Sequence, residues 1–205
     1  MSDFDVIRRD QLDALREIGN IGSGNAATAL AQFLNRKIDM DVPQAKILPI
    51  NQIPGLFGGP EARVLGIYLK VLGSITGRFM LMIPEVTAIR MLNILIPGCE
   101  ITSGQQMGDM ERSCMREIGN ILAGSFLNAL SGLTNVPVLC SLPTLAFDMA
   151  GALLDTVVGE MIAYSDDVLM IETSFFDDNQ DLRMHIFLMP DAESIQKLFE
   201  LLGIK

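Results

Sequence analysis

Histidine occurs once in this chain, at His185, and cysteine three times, at Cys99, Cys114 and Cys140. This scarcity removes whole classes of chemistry. His185 lies in the alternating stretch Leu182 to Leu188, the pattern of a strand, where a packed ring is the expectation; a histidine-dependent triad or a multi-histidine zinc site is excluded. The cysteines are far apart in apolar surroundings and are expected to be buried free thiols, neither a disulfide framework nor a CxxC site. Positive charge is also short, with 15 Lys and Arg against 25 Asp and Glu and a net charge of −10. That balance opposes a polyanionic partner such as nucleic acid. No apolar run reaches the ~18 residues of a membrane span and the first residues lack the basic and apolar regions of a signal peptide, so a cytoplasmic protein is expected.

What the chain does contain is itself, twice. Residues 16–30 read REIGNIGSGNAATAL and residues 116–130 read REIGNILAGSFLNAL, identical at nine of fifteen positions at an offset of 100. Pro43 recurs as Pro143 at that offset, and Met80 to Glu85 reappears as Ile186 to Asp191 at an offset of 106. The second half has therefore gained residues, and the turn-rich Asp177 to Asp181 is one expected place for them. Each half (1–103 and 104–205) opens with a long helix and runs through strands. These are expected around Leu65 to Leu72 and Ser74 to Ile83, or Leu153 to Tyr164, Val168 to Phe175 and Leu182 to Met189. Each half closes with a helix that begins on a proline. No Pro/Gly/Ser linker separates the halves, and the expectation is an α+β fold. It is a single pseudo-twofold domain over 1–205, with a shared, largely antiparallel sheet and the two motif helices side by side or on related faces.

On the repeated helix, Leu15, Ile18, Ala26, Ala29, Leu30 and Phe33 trace an apolar stripe. A second, polar line runs through Asp13, Glu17, Asn20 and Gly24, and Ser113, Glu117, Asn120 and Gly124 repeat it. A single Glu-x-x-Asn pair is ordinarily a solvated helix face. Here the pair stands twice, beside Gly19, Gly24, Gly119 and Gly124, each at a helix cost of ~1 kcal/mol relative to alanine. Two causes are open for the glycines: tight packing of the helix on its own sheet, or a bare surface on which another protein's backbone can approach.

The glycine run Gly19 to Gly24 is no nucleotide loop, since no strand precedes it and no Gly-Lys-Ser/Thr follows. An amide cannot act as a base, and a glutamate without a nucleophile makes a poor hydrolase. The chemistry that needs only these groups is one in which a partner supplies the reactive phosphate and its metal, with the amide orienting the attacking water.

At these residues the sequence resembles the CheC/CheX/FliY family of chemotaxis phosphatases. The family signature is Asp or Ser, three residues, Glu, two residues, Asn, twenty-two residues and Pro. It is met by Asp13, Glu17, Asn20 and Pro43 and again by Ser113, Glu117, Asn120 and Pro143. The resemblance implies a phosphatase acting on the phosphorylated response regulator CheY. Asn20 or Asn120 would hold water in line with the aspartyl phosphate, and Glu17 or Glu117 would pair with a lysine of CheY. Mg²⁺ would be expected in the CheY site, and no metal or other cofactor of the chain's own. Asp13, Ser113, Gly24 and Gly124, with the two prolines, would support the helix or the docking. The resemblance also implies a second partner, the receptor deamidase CheD, for which the segment around Asp148, where the halves diverge, is a candidate contact. The alternative function is a non-catalytic adaptor that binds CheY and regulates CheD; flagellar-switch relatives of similar architecture lack the Glu-Asn pair. Glu17 and Glu117 as one carboxylate pair is a remoter reading, because the repeat sets them at equivalent, separated positions. An internal twofold favours a monomer.

Overall fold

The computed structural model describes residues 9–159, 167–177 and 182–203. The first half runs through helix α1 (Arg9–Leu34), strands β1 (Asp39–Met40) and β2 (Gln44–Pro49), a 3₁₀ segment (Ile50–Phe57), strands β3 (Arg63–Gly73) and β4 (Gly77–Pro84) and helix α2 (Glu85–Leu95). After a 3₁₀ turn (Gly104–Gln106) the order repeats with α3 (Asp109–Thr134), β5 (Val138–Cys140), β6 (Thr144–Met149), α4 (Ala150–Gly159), β7 (Asp167–Phe176), β8 (Met184–Pro190) and α5 (Ala192–Leu201).

The long helices α1 and α3 stop in the same way. Asn35 and Asn135 take left-handed backbone angles (φ 50° and 54°), a conformation asparagine accepts more readily than most residues and one that closes a helix C-terminus. The start of α3 is set by Glu111, whose Oε2 accepts the Gly108 N–H at 2.9 Å.

The eight strands among the described residues form one sheet, in the order β1-β7-β8-β4-β3-β5, with β2 also on β7 and β6 also on β3, and every pairing described is antiparallel. The pseudo-twofold passes between β4 and β8. The strands that follow each motif helix cross over: β1 and β2 pair with β7 of the second half, β5 and β6 with β3 of the first. Alternation with period two sorts the central strands. Leu65, Ile67, Leu69, Phe79, Leu81, Ile83, Ile186 and Leu188 face a core shared with α1, α2, α3 and α5. Val64, Met80, Met82, Phe187 and Met189 face the other side, where the 3₁₀ segment and α4 cover them through Ile53, Ala150, Leu153 and Leu154. The crossover between halves is docked: Glu85 Oε1 accepts the Gly104 N–H at 2.8 Å, and Phe147 lies over Gly104 under the Arg63 guanidinium, 4.5 Å from its ring centre.

Three expectations change. The stretch expected as a strand from Leu153 is helical as far as Gly159, and its remainder, to Tyr164, lies outside the described residues. Its apolar run closes over the second face of the sheet, with Leu153 seated on Gly66; periodicity alone does not separate such a run from a strand. The closing helices begin after their prolines: Pro84 is the cap of α2, and Asp191 stands between Pro190 and α5. The cysteines are free but half-buried, and burial raises the Cys114 and Cys140 thiols above their ordinary value. Of the expected Asp177 to Asp181 turn, Asp178 to Asp181 lie outside the described residues; Asp177 is buried and pairs with Arg36 at 3.6 Å.

The second face carries a polar cluster of its own. His185 is buried in β8 under the edge of Phe57, and its Nδ1 lies 3.3 Å from Glu172 Oε1; Lys46 Nζ donates to Glu172 Oε2 at 2.9 Å. The His185 hydrogen bond, aided by Lys46 and opposed by burial, lowers the Glu172 carboxyl below its ordinary 4.5. A carboxylate whose folded pKa is depressed contributes stability above the unfolded value and loses it as pH falls through the folded one. Glu172→Gln is therefore expected to be less stable than the parent at neutral pH, with the gap closing in acid below ~4.5, as urea midpoints against pH would show. A gap that stayed constant across that range would contradict the assignment.

One buried hydroxyl has no partner among the described residues: Ser23 Oγ, wholly inside the core on α1. The equivalent position on α3 is Ala123, also fully buried. Ser23→Ala is expected to raise stability by ~1–3 kcal/mol, the cost of an unsatisfied buried hydroxyl, seen as a higher midpoint at unchanged urea slope.

Candidate active sites

α1 and α3 pack side by side, and their outer faces carry the repeated polar line. Glu17, Asn20, Glu117 and Asn120 are all exposed, while Leu15, Ile18, Met115 and Ile118 of the same turns are in the core. Asn120 Nδ2 lies 3.5 Å from Glu117 Oε2, so one turn of helix places carboxylate and carboxamide together. Asp13 and Ser113 are exposed one turn earlier, and Asp13 pairs with Arg16 at 3.3 Å. Within each half the line is continuous, and the two Glu-Asn pairs sit on separate helices.

The glycines divide between the two causes. A Cβ at Gly19 would stand 2.6 Å from Ile171 Cγ2 and 2.9 Å from Pro43 Cβ, and one at Gly119 would stand 2.6 Å from Ile67 Cγ2. Those two let the helix settle onto the sheet. A Cβ at Gly24 or Gly124 would meet nothing within 4 Å, so these are the bare positions on the polar line. Ile171 belongs to β7 and Ile67 to β3. Each motif helix is thus seated on a strand of the opposite half, the one to which its own following strand has crossed.

The prolines of the motif lie where each helix meets its edge strand. Pro43 is buried against Gly19, and Pro143 is half-buried. Arg16, Val42, Pro43, Gln44, Ala45 and Lys46 line an open depression of about 420 Å³ beside the Glu17 turn. Asp148 lies exposed on edge strand β6, its Oδ1 accepting the Met149 N–H at 2.8 Å. Sequence reading passed over Val42 and Leu142, which precede the prolines and are 71 % and 86 % exposed. Their signal was an apolar residue before proline in both copies. Among the described residues no group of three or more His, Cys, Asp or Glu is placed to hold a metal ion, and no helix is long and apolar enough to cross a membrane.

The comparisons with known proteins fall on these same elements. The family model described as "CheC-like family" matches residues 11–47 and 110–145, each motif helix through its proline. A curated relative named CheY-P phosphatase CheC, from Bacillus subtilis (strain 168), is 40 % identical over 209 aligned residues, spanning 99 % of this chain and 99 % of the relative. The crystal structure of Thermotoga maritima FliY superposes with a TM-score of 0.72 at 20 % identity, covering 97 % of this chain and 98 % of that one. The FliM middle domain from H. pylori superposes with a TM-score of 0.68 at 12 % identity, covering 95 % and 99 %. At such identities the two structures establish the shared fold.

Proposed function

Since the chain belongs to the CheC-like family, as 40 % identity along its whole length shows, we propose that it is a hydrolase that removes the phosphate from the aspartyl phosphate of CheY. The observation that carries the proposal is the pair of exposed Glu-Asn faces, one on each of two neighbouring helices, each held by a core that keeps its apolar side inward.

In the proposed reaction the Asn20 or Asn120 amide holds a water in line with the phosphorus. The water oxygen forms the new P–O bond, the bond to the aspartyl oxygen breaks, the aspartate leaves as carboxylate, and the water's proton goes to the released phosphate. Phosphoryl transfer asks for positioning and charge stabilisation more than for covalent chemistry, so an amide suffices as the positioning group. Glu17 or Glu117 anchors a lysine of CheY, and CheY itself brings the Mg²⁺. Asp13 and Ser113 support the docking turn, while Gly24 and Gly124 leave its upper end bare. The chain acts in the cytoplasm as a monomer, its internal twofold supplying both sites. CheD is the proposed second partner, and the exposed edge strand β6 around Asp148 is its proposed contact.

The decisive experiment follows the lifetime of phosphorylated CheY with the chain at substoichiometric amounts. Many phosphates released per chain are expected; protection of the phosphate, or an unchanged lifetime, would favour the adaptor reading.

A further inference from the structure

Single exposed apolar side chains are ordinary on a protein surface. What sets Val42 and Leu142 apart is recurrence: among the exposed large apolar side chains of the described residues, they alone stand at the repeat offset of 100. They are also held from both sides. Before Val42, Asp41 is clamped to β7: its N–H donates to the Ser174 carbonyl at 3.0 Å, its carbonyl accepts Thr173 Oγ1 at 2.9 Å, and its carboxylate takes Ser174 Oγ and Arg183. After it, Pro43 is seated against Gly19 with φ fixed by its ring. The second half reaches the same end with other atoms. Ser141 donates its N–H to the Lys70 carbonyl at 2.9 Å, accepts the Lys70 N–H on Oγ at 3.0 Å, and is followed by Leu142 and Pro143.

The polar clamps differ between the halves, yet both present one aliphatic side chain outward. Chain geometry places the Val42 Cα at most ~14 Å from that of Asn20, since Pro43 touches the Gly19 position. A protein whose phosphorylated pocket covers Asn20 with the ~800 Å² per partner of a standard interface would span a patch wide enough to reach a side chain at that distance. A pre-ordered aliphatic contact at that distance contributes to docking without an ordering cost.

On the footing of the phosphatase reading, we infer that Val42 and Leu142 are the apolar anchors by which the two sites dock the phosphorylated receiver domain of CheY. They set its affinity and take no part in the chemistry. The depression beside Val42 is lined by Lys46 where the second half has Ala146, and because the Lys46 ammonium is paired with Glu172, the two docking surfaces share the anchor and differ in the bulk of the residue beside it.

The test isolates one site at a time by steady-state phosphate release from phosphorylated CheY. Asn120→Ala leaves the first site; adding Val42→Ser is expected to raise KM about tenfold at unchanged kcat, whereas Val42→Ile keeps the parent KM. Asn20→Ala with Leu142→Ser is the mirror experiment. An unchanged KM in both serine variants, with turnover intact, overturns the anchors and leaves the phosphatase standing. No acceleration of phosphate loss by the parent overturns the phosphatase reading itself. Sedimentation supplies the remaining arm: a parent dimer that dissociates on Val42→Ser or Leu142→Ser, with KM unchanged, assigns the face to a second copy of this chain and overturns the proposal.

Discussion

Replacing Asn20 and Asn120 together by alanine is expected to slow the loss of phosphate from CheY by ~10²-fold or more, the usual consequence of removing one positioned group at a phosphoryl or acyl centre. The fold should be indifferent. Both side chains are exposed, and alanine is the better helix former, so the thermal midpoint of the double variant should match or slightly exceed that of the parent. That separation matters, because it prevents lost activity from being read as lost structure. The single variants then rank the halves. Asp13 stands against Ser113 and Gly22-Ser23 against Leu122-Ala123, so unequal activity is expected. A double variant as fast as the parent would remove the amide from the mechanism altogether.

The parts of this molecule that sequence made legible are those governed by short-range spacing. Glu17 and Asn20 are three residues apart and must share a helix face; their copies at Glu117 and Asn120 follow from the offset. The strand pattern of β3, β4 and β8 could be read because alternate residues serve different cores. What could not be read is which strand meets which. The crossing of β2 onto β7 and of β6 onto β3 depends on contacts far apart in the chain, such as Ala45 with Ile171 and Leu145 with Ile67. Gly19 and Gly119 therefore looked like Gly24 and Gly124, although the first two lie on Ile171 and Ile67 and the second two lie open. The helix α4 was mistaken for a strand for a related reason. An apolar run records that burial occurs, and only the partner, here Gly66 beneath Leu153, records its geometry.

The place where the two halves interlock yields the largest expected change in stability. Phe126 of α3 is buried over Gly22 of α1, where an added Cβ would stand 2.9 Å from the ring, and its far side meets Phe79 edge to face at 5.8 Å. The repeat supplies small against large at each level: Gly22 and Ala26 on α1, Leu122 and Phe126 on α3. Phe126→Ala is expected to cost ~3–5 kcal/mol, a large share of the ~5–15 kcal/mol available to a typical domain. Gly22→Leu alone overpacks against the ring, and that strain outweighs the ~1 kcal/mol that leaving glycine restores to the helix. Combined, the two changes put the volume back on the other helix and make the α1 and α3 positions alike. The pair is therefore expected to be less destabilised than the sum of the single variants by ~1–3 kcal/mol in a double-mutant cycle read from urea midpoints. Simple additivity would show that the ring and the glycine do not share one space. Because Glu17, Asn20, Glu117 and Asn120 point away from this seam, the repaired pair should also recover phosphatase activity, tying the integrity of both sites to the contact between the helices that carry them.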